Sequence, residues 1–168
     1  MNLKKSFVFL PALAFCVFAS ACSRSRNDPK DGLDTRIRRL CDKTGLVALP
    51  TENGEVLMIV KTTDERGQMC WIAPRVIDAD GIECIYVGSY IAKWDEINEE
   101  VRGVLMNQNA RRRNNVFAES SDYLVLRALV PLASKPDDFR DAIESLAIEA
   151  DNIERVYFGR EDVDFNKK

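Results

Sequence analysis

The 168-residue sequence contains no histidine. That removes Ser-His and Cys-His catalytic pairs, histidine-ligated zinc and the usual general base near neutral pH. No Cys-x-x-Cys pair occurs, which argues against a thioredoxin-like redox site. The eight glycines form neither a Gly-x-Gly-x-x-Gly turn nor a phosphate-binding loop. Asp78-Ala79-Asp80-Gly81 begins like a calcium loop but lacks the third oxygen residue and the distal glutamate, so it reads as a turn. No metal, cofactor or catalytic residue is expected, and the reading is non-enzymatic. Internal repeats and low-complexity tracts are also missing. The apolar run Phe7 to Phe18 is shorter than the roughly 20 residues of a membrane span.

That run belongs to a targeting segment. Lys4 and Lys5 precede it and Ala19-Ser20-Ala21 follows it, the pattern of a signal peptide over residues 1–21. Cys22 comes next, and the arrangement resembles a bacterial lipobox, with Ala19 where leucine is usual. The resemblance implies that Cys22 is lipidated and becomes the new N-terminus; the competing reading is plain secretion with Cys22 as an ordinary thiol. Several acyl chains on one cysteine anchor stably, at about 0.8 kcal/mol per buried methylene. Ser23, where some bacteria use aspartate for inner-membrane retention, favours the periplasmic face of the outer membrane. Residues 22–32 are polar and turn-prone and read as a tether.

Removing the two leader lysines from 24 Lys+Arg, against 27 Asp+Glu, leaves a side-chain balance of −5. A mildly acidic chain argues against nucleic acid as partner. Acids gather at two predicted helix starts, Asp95, Glu96, Glu99 and Glu100 in one and Asp137 and Asp138 in the other, where they complement the helix dipole. The one concentrated charge run, Arg111-Arg112-Arg113, is a candidate contact for anionic headgroups or an acidic partner; a solvated loop at a helix end is the plainer reading.

Residues 33–158 read as one domain, followed by a tail over 159–168. Leu33, Ile37, Leu40 and Cys41 predict a helix over 33–44 that stops at Gly45. Leu46 to Leu49 runs extended. Strands are expected over Glu55–Thr63, Gln68–Val76 and Ile82–Tyr90, separated by turns at 64–67 and 78–81. Trp94, Ile97, Val101, Val104 and Leu105 fall on a helical stripe. Strands Val116–Glu119 and Tyr123–Leu132 follow, joined by Ser120-Ser121-Asp122. A last helix opens at Pro136, with Phe139, Ala142, Ile143, Leu146, Ala147, Ala150 and Ile153 on one face. The order is α-β-β-β-α-β-β-α, an α+β domain with a mostly antiparallel sheet of about five strands. With the hairpin turn at 78–81, residue 70 faces about residue 89 and residue 84 about residue 75. Cys70 and Cys84 are then too far apart to bridge, and the domain cysteines read as small core residues.

This order, with Val104-Leu105-Met106-Asn107-Gln108-Asn109 leading into two strands and a final helix carrying Ala142-Ile143-Glu144-Ser145-Leu146-Ala147, resembles the type III secretion chaperone-like (YbjN-type) superfamily over roughly residues 33–158. The anchor and the arginine run are departures from that family's pattern. The resemblance implies a chaperone- or adaptor-like protein-binding domain; a small-ligand sensor on the same sheet is the alternative. In Tyr123–Leu132 both faces are apolar, Leu124, Leu126, Ala128 and Val130 on one and Tyr123, Val125, Arg127 and Leu129 on the other. Val56–Val60 is likewise apolar on both faces. A sheet covered on one side only shows polar residues on the other. Trp71, Tyr86, Tyr123, Val125, Arg127 and Leu129 are therefore the candidate binding face, for a protein partner or a homodimer, unless helices or the segment with Tyr157 and Phe158 cover both sides. The anchor reading predicts that Cys22→Ala moves the chain from the membrane to the soluble envelope fraction and abolishes acyl labelling; labelled, membrane-bound C22A protein would refute it.

Overall fold

The computed structural model describes residues 33–62, 66–112 and 114–159. The signal peptide, the lipidation site Cys22, the tether, Arg113 and tail residues 160–168 lie outside the described residues.

The first helix, α1 (Thr35–Thr44), starts where the Asp34 carboxylate accepts the Arg36 amide at 2.8 Å, and Gly45 ends it in the left-handed conformation. The side-chain hydrogen bond from Arg36 holds the Asp34 carboxyl below its ordinary range. Seven strands follow in one sheet: β1 (Ala48–Pro50), β2 (Val56–Lys61), β3 (Gly67–Ile72), β4 (Ile77–Ala79), β5 (Ile82–Lys93), β6 (Asn115–Ser120) and β7 (Tyr123–Pro131). Helix α2 (Glu99–Gln108) joins β5 to β6, and α3 (Pro136–Ile153) follows β7 and runs on as a π-helical turn, Glu154–Phe158. The spatial order is β1-β2-β3-β5-β7-β6, with β4 paired to β5, and every pairing is antiparallel.

The α+β class holds, but the sheet has seven strands rather than about five. One addition is the extended run before Pro50, which pairs as β1 with Val56–Met58. The other arises because Gln68–Val76 is not continuous. Pro74 has no amide to give a ladder, and the chain bulges between Ile72 and Ile77. The turn sits one residue later than the count assumes, so Ala79 pairs with Ile82 and Cys84 stands opposite Ile77. The interruption at Pro74 then shifts the register by two residues and brings Cys70 opposite Ser89. The Asp80-Gly81 turn has positive φ at both residues, the geometry that matches strand twist in a two-residue hairpin.

The middle helix also starts later than its apolar stripe suggests. Trp94–Glu96 is a separate 3-10 turn, Ile97 is extended, and the Asn98 side chain caps α2 by accepting the Val101 amide at 2.8 Å. Ile97 and Leu105 are buried, but Val104 faces solvent.

The three helices of the described residues lie on one face of the sheet. There Val56, Met58, Val60, Cys70, Ile72, Ile85, Val87, Leu124, Leu126 and Phe117 meet Ile37, Leu40, Leu105, Phe139, Ile143, Leu146, Ala147 and Ala150 in one core. Each large side chain so buried contributes about 1.5–3 kcal/mol. Tyr157 and Phe158 pack against this same core, so they leave the opposite face uncovered. Cys41, Cys70 and Cys84 are free and buried, and burial pushes the Cys41 thiol up to about 11.

Asn109, the last residue of the motif before β6, closes the edge of the sheet. Its side chain accepts the Phe117 amide at 2.7 Å and donates to the Phe117 carbonyl at 2.8 Å. Those are the outward-pointing backbone groups in the middle of edge strand β6, groups that otherwise invite another strand. Asn109→Ala is expected to cost about 1–3 kcal/mol in urea unfolding. Asn109→Asp, which keeps the acceptor and loses the donor, should fall in between; an unchanged midpoint in both variants would show that the pair of bonds carries no stability.

Candidate protein-binding face

Period-two alternation sends half of each strand away from the helices. Leu57 stands opposite both Leu49 and Trp71, Trp71 opposite Gly88, Gly88 opposite Arg127, and Arg127 opposite Val116. This one row crosses all six strands of the main path. Neighbouring rows add Ile59 and Met69, then Tyr86 with Leu129, then Tyr90 with Val125 and Ala118, and Tyr123. Trp71, Tyr86, Tyr123, Val125, Arg127 and Leu129 thus share a single face. Among the described residues no helix covers it, but Trp71 and Val125 are themselves buried, at 8% and 1% exposed, beneath their neighbours on the face.

The face is built from rings. Trp71 lies across Gly88 so closely that a methyl group there would overlap the indole. Its centroid is 6.3 Å from that of Tyr90, and Tyr90 meets Tyr123 edge-on at 5.2 Å. The Arg127 guanidinium sits 4.9 Å from the Tyr86 ring centre. Burial, with Glu55 and Tyr123 adding to it, raises the Tyr90 hydroxyl above its ordinary value. That keeps the phenol neutral across the physiological range.

Apolar side chains surround the rings. Leu49 is 57% exposed, Ile59 53% and Leu129 39%, and Ile82 is exposed on the same face. A contiguous apolar surface of this kind marks an interaction site. Leu49, Leu57, Ile59, Met69 and Tyr90 escape the sequence reading. The two-faced pattern of Val56–Val60 was visible, but assigning its outward residues to this patch needs the pairing of β2 with β3. The sequence pattern ends a strand at Tyr90, whereas β5 continues to Lys93 past a register shift between Tyr90 and Ala92.

The arginine run divides. Arg111 is exposed at the end of a 3-10 turn, and Arg113 lies outside the described side chains. Arg112 is not available as an anionic contact: it is ion-paired with Glu149, donates to Gln108 Oε1 at 3.1 Å and stacks 4.4 Å over Phe117. Glu99, Glu100, Asp137 and Asp138 occupy the first turns of α2 and α3 and are exposed, as dipole complements should be.

A second polar group lies inside the helix-side core. The Gln68 amide nitrogen is 2.8 Å from Ser89 Oγ, 2.8 Å from Glu154 Oε1 and 3.1 Å from the Tyr90 carbonyl. Arg66 Nε pairs with Asp151 Oδ1 at 2.7 Å. Both contacts tie the start of β3 to the end of α3, and we read them as structural. Among the described residues no group of three or more His, Cys, Asp or Glu is placed to hold a metal, and no helix is long and apolar enough to cross a membrane.

The arrangement of this sheet has a solved counterpart. A chain of the crystal structure of the ExsC–ExsE complex superposes with a TM-score of 0.51 at 16% identity, covering 73% of this chain and 94% of that one. The likeness is one of fold. No protein-family model matches the sequence, and no curated protein matches it either.

The ring stack predicts that Gly88→Ala displaces Trp71 and lowers stability by about 1–3 kcal/mol, the usual cost of overpacking. Urea unfolding measures the loss, and a Trp94→Phe background isolates the Trp71 fluorescence change. Unaltered emission and stability would mean that the indole moves aside freely.

Proposed function

We propose that this chain is a non-enzymatic, chaperone- or adaptor-like binding domain of the bacterial cell envelope, held at the membrane through lipidated Cys22, with the periplasmic face of the outer membrane favoured. The observation that carries the reading is the aromatic, apolar sheet face left bare by helices that all pack on the other side. Leaving Leu49, Ile59 and Leu129 in water costs free energy that docking recovers. The resemblance to a chain crystallised in a two-protein complex supports protein binding as the role of such a face. The polar run over residues 22–32 supplies a spacer between the anchor and the domain.

Photo-crosslinking in native membranes tests this. A crosslinker replacing Leu129 or Ile59 is expected to yield a discrete protein adduct, whereas one replacing Ile148, exposed on the outer side of α3, should not. Equal yields at the two surfaces, or none at the sheet, would remove the proposal.

A further inference from the structure

The charge on the open face is one-sided. The sequence is net acidic, at −3, yet the charged residues that the strands turn toward this face are all cations: Lys61, Lys93 and Arg127. None of the three is ion-paired among the described residues. Lys61 and Lys93 stand at strand ends, exposed. Arg127 stands in the middle, half-buried between Val125 and Leu129, and its Nε is buried without a hydrogen-bond partner. One acid, Glu55, stands just before β2 close enough to raise the Tyr90 hydroxyl, and Asn53 Nδ2 reaches it at 3.3 Å.

The Nε is already shut off from solvent, so the donors within a partner's reach are the terminal guanidinium nitrogens, a planar pair that fits a carboxylate. We infer that the open face takes an acidic, apolar segment of a different protein, one of whose Asp or Glu carboxylates pairs with Arg127 between apolar neighbours. A second copy of this chain would set the strand-borne cations of the two faces against each other, which disfavours self-association there. The inference rests on the protein-binding reading above and names the partner's chemistry.

The test uses the full, anchored chain in native membranes, with the crosslinker in place of Leu129 and the crosslinked peptide sequenced by mass spectrometry. The expected peptide comes from another protein and carries Asp or Glu within a few residues of an apolar crosslinked position. Arg127→Gln should lower the adduct yield about tenfold or more, the usual loss for a charge-assisted hydrogen bond. Arg127→Lys, which keeps the charge without the fork, should lower it less. Changing the partner's carboxylate to its amide should reproduce the Arg127→Gln loss with this chain untouched, so a folding defect cannot mimic the result. A partner peptide without a carboxylate, or yields indifferent to both changes, overturns the inference and leaves the binding reading standing. Adducts between two copies, or to this chain's own Glu161-Asp162-Val163-Asp164-Phe165, overturn it by naming another occupant. No adduct at all ends both.

Discussion

The sheet has two apolar faces and helices for one. Phe139, Ile143, Leu146, Ala147 and Ala150 of α3 form a continuous stripe that packs across β2, β3, β5 and β7. α1 and α2 complete that same layer, and the π-helical turn after α3 brings Tyr157 and Phe158 back onto it. The burial on this side, at about 1.5–3 kcal/mol per large side chain, is what holds the sheet together. The other face is left with the residues that alternation sends there.

Those residues pack against one another. Trp71 lies flat over Gly88 and meets Tyr90, which in turn meets Tyr123, so that rings on three strands support one another. Arg127 covers the Tyr86 ring. The result is a platform that is apolar and shaped in advance, which lowers the ordering cost of docking. Its edge is protected separately. Asn109 satisfies the outward groups of Phe117 on β6, and β1 at the other edge is three residues long and ends in Pro50. For the proposed binding role, that leaves the face of the sheet rather than strand addition at its rims.

Much of this order is legible along the chain. Helix α1 follows from Leu33, Ile37, Leu40 and Gly45, and α3 from Pro136 and its long apolar stripe, because a helix writes its buried side at a fixed spacing. The opposition of Cys70 and Ser89 matches a count from the turn only because the register shift at Pro74 cancels a turn placed one residue too early. The failures share one cause, local chemistry that overrides a pattern. Pro74 breaks a run that reads as one strand, Asn98 delays a helix whose apolar stripe starts at Trp94, and Arg112 turns inward because Glu149 waits on a distant helix.

The sequence alone determined the α+β class, the two-faced character of Tyr123–Leu132 and the lack of any histidine-based chemistry, since each depends on composition or on neighbours in the chain. Only the tertiary structure decided which of the two apolar faces the helices cover. It also decided that Trp71, Tyr86, Tyr90 and Arg127, drawn from three strands, form one surface whose strand-borne charges are all positive. Strand alternation records that a residue points up or down, but not which strand lies beside it or where a helix lands. Those are set by register and by long-range packing, and the candidate binding face is a product of both.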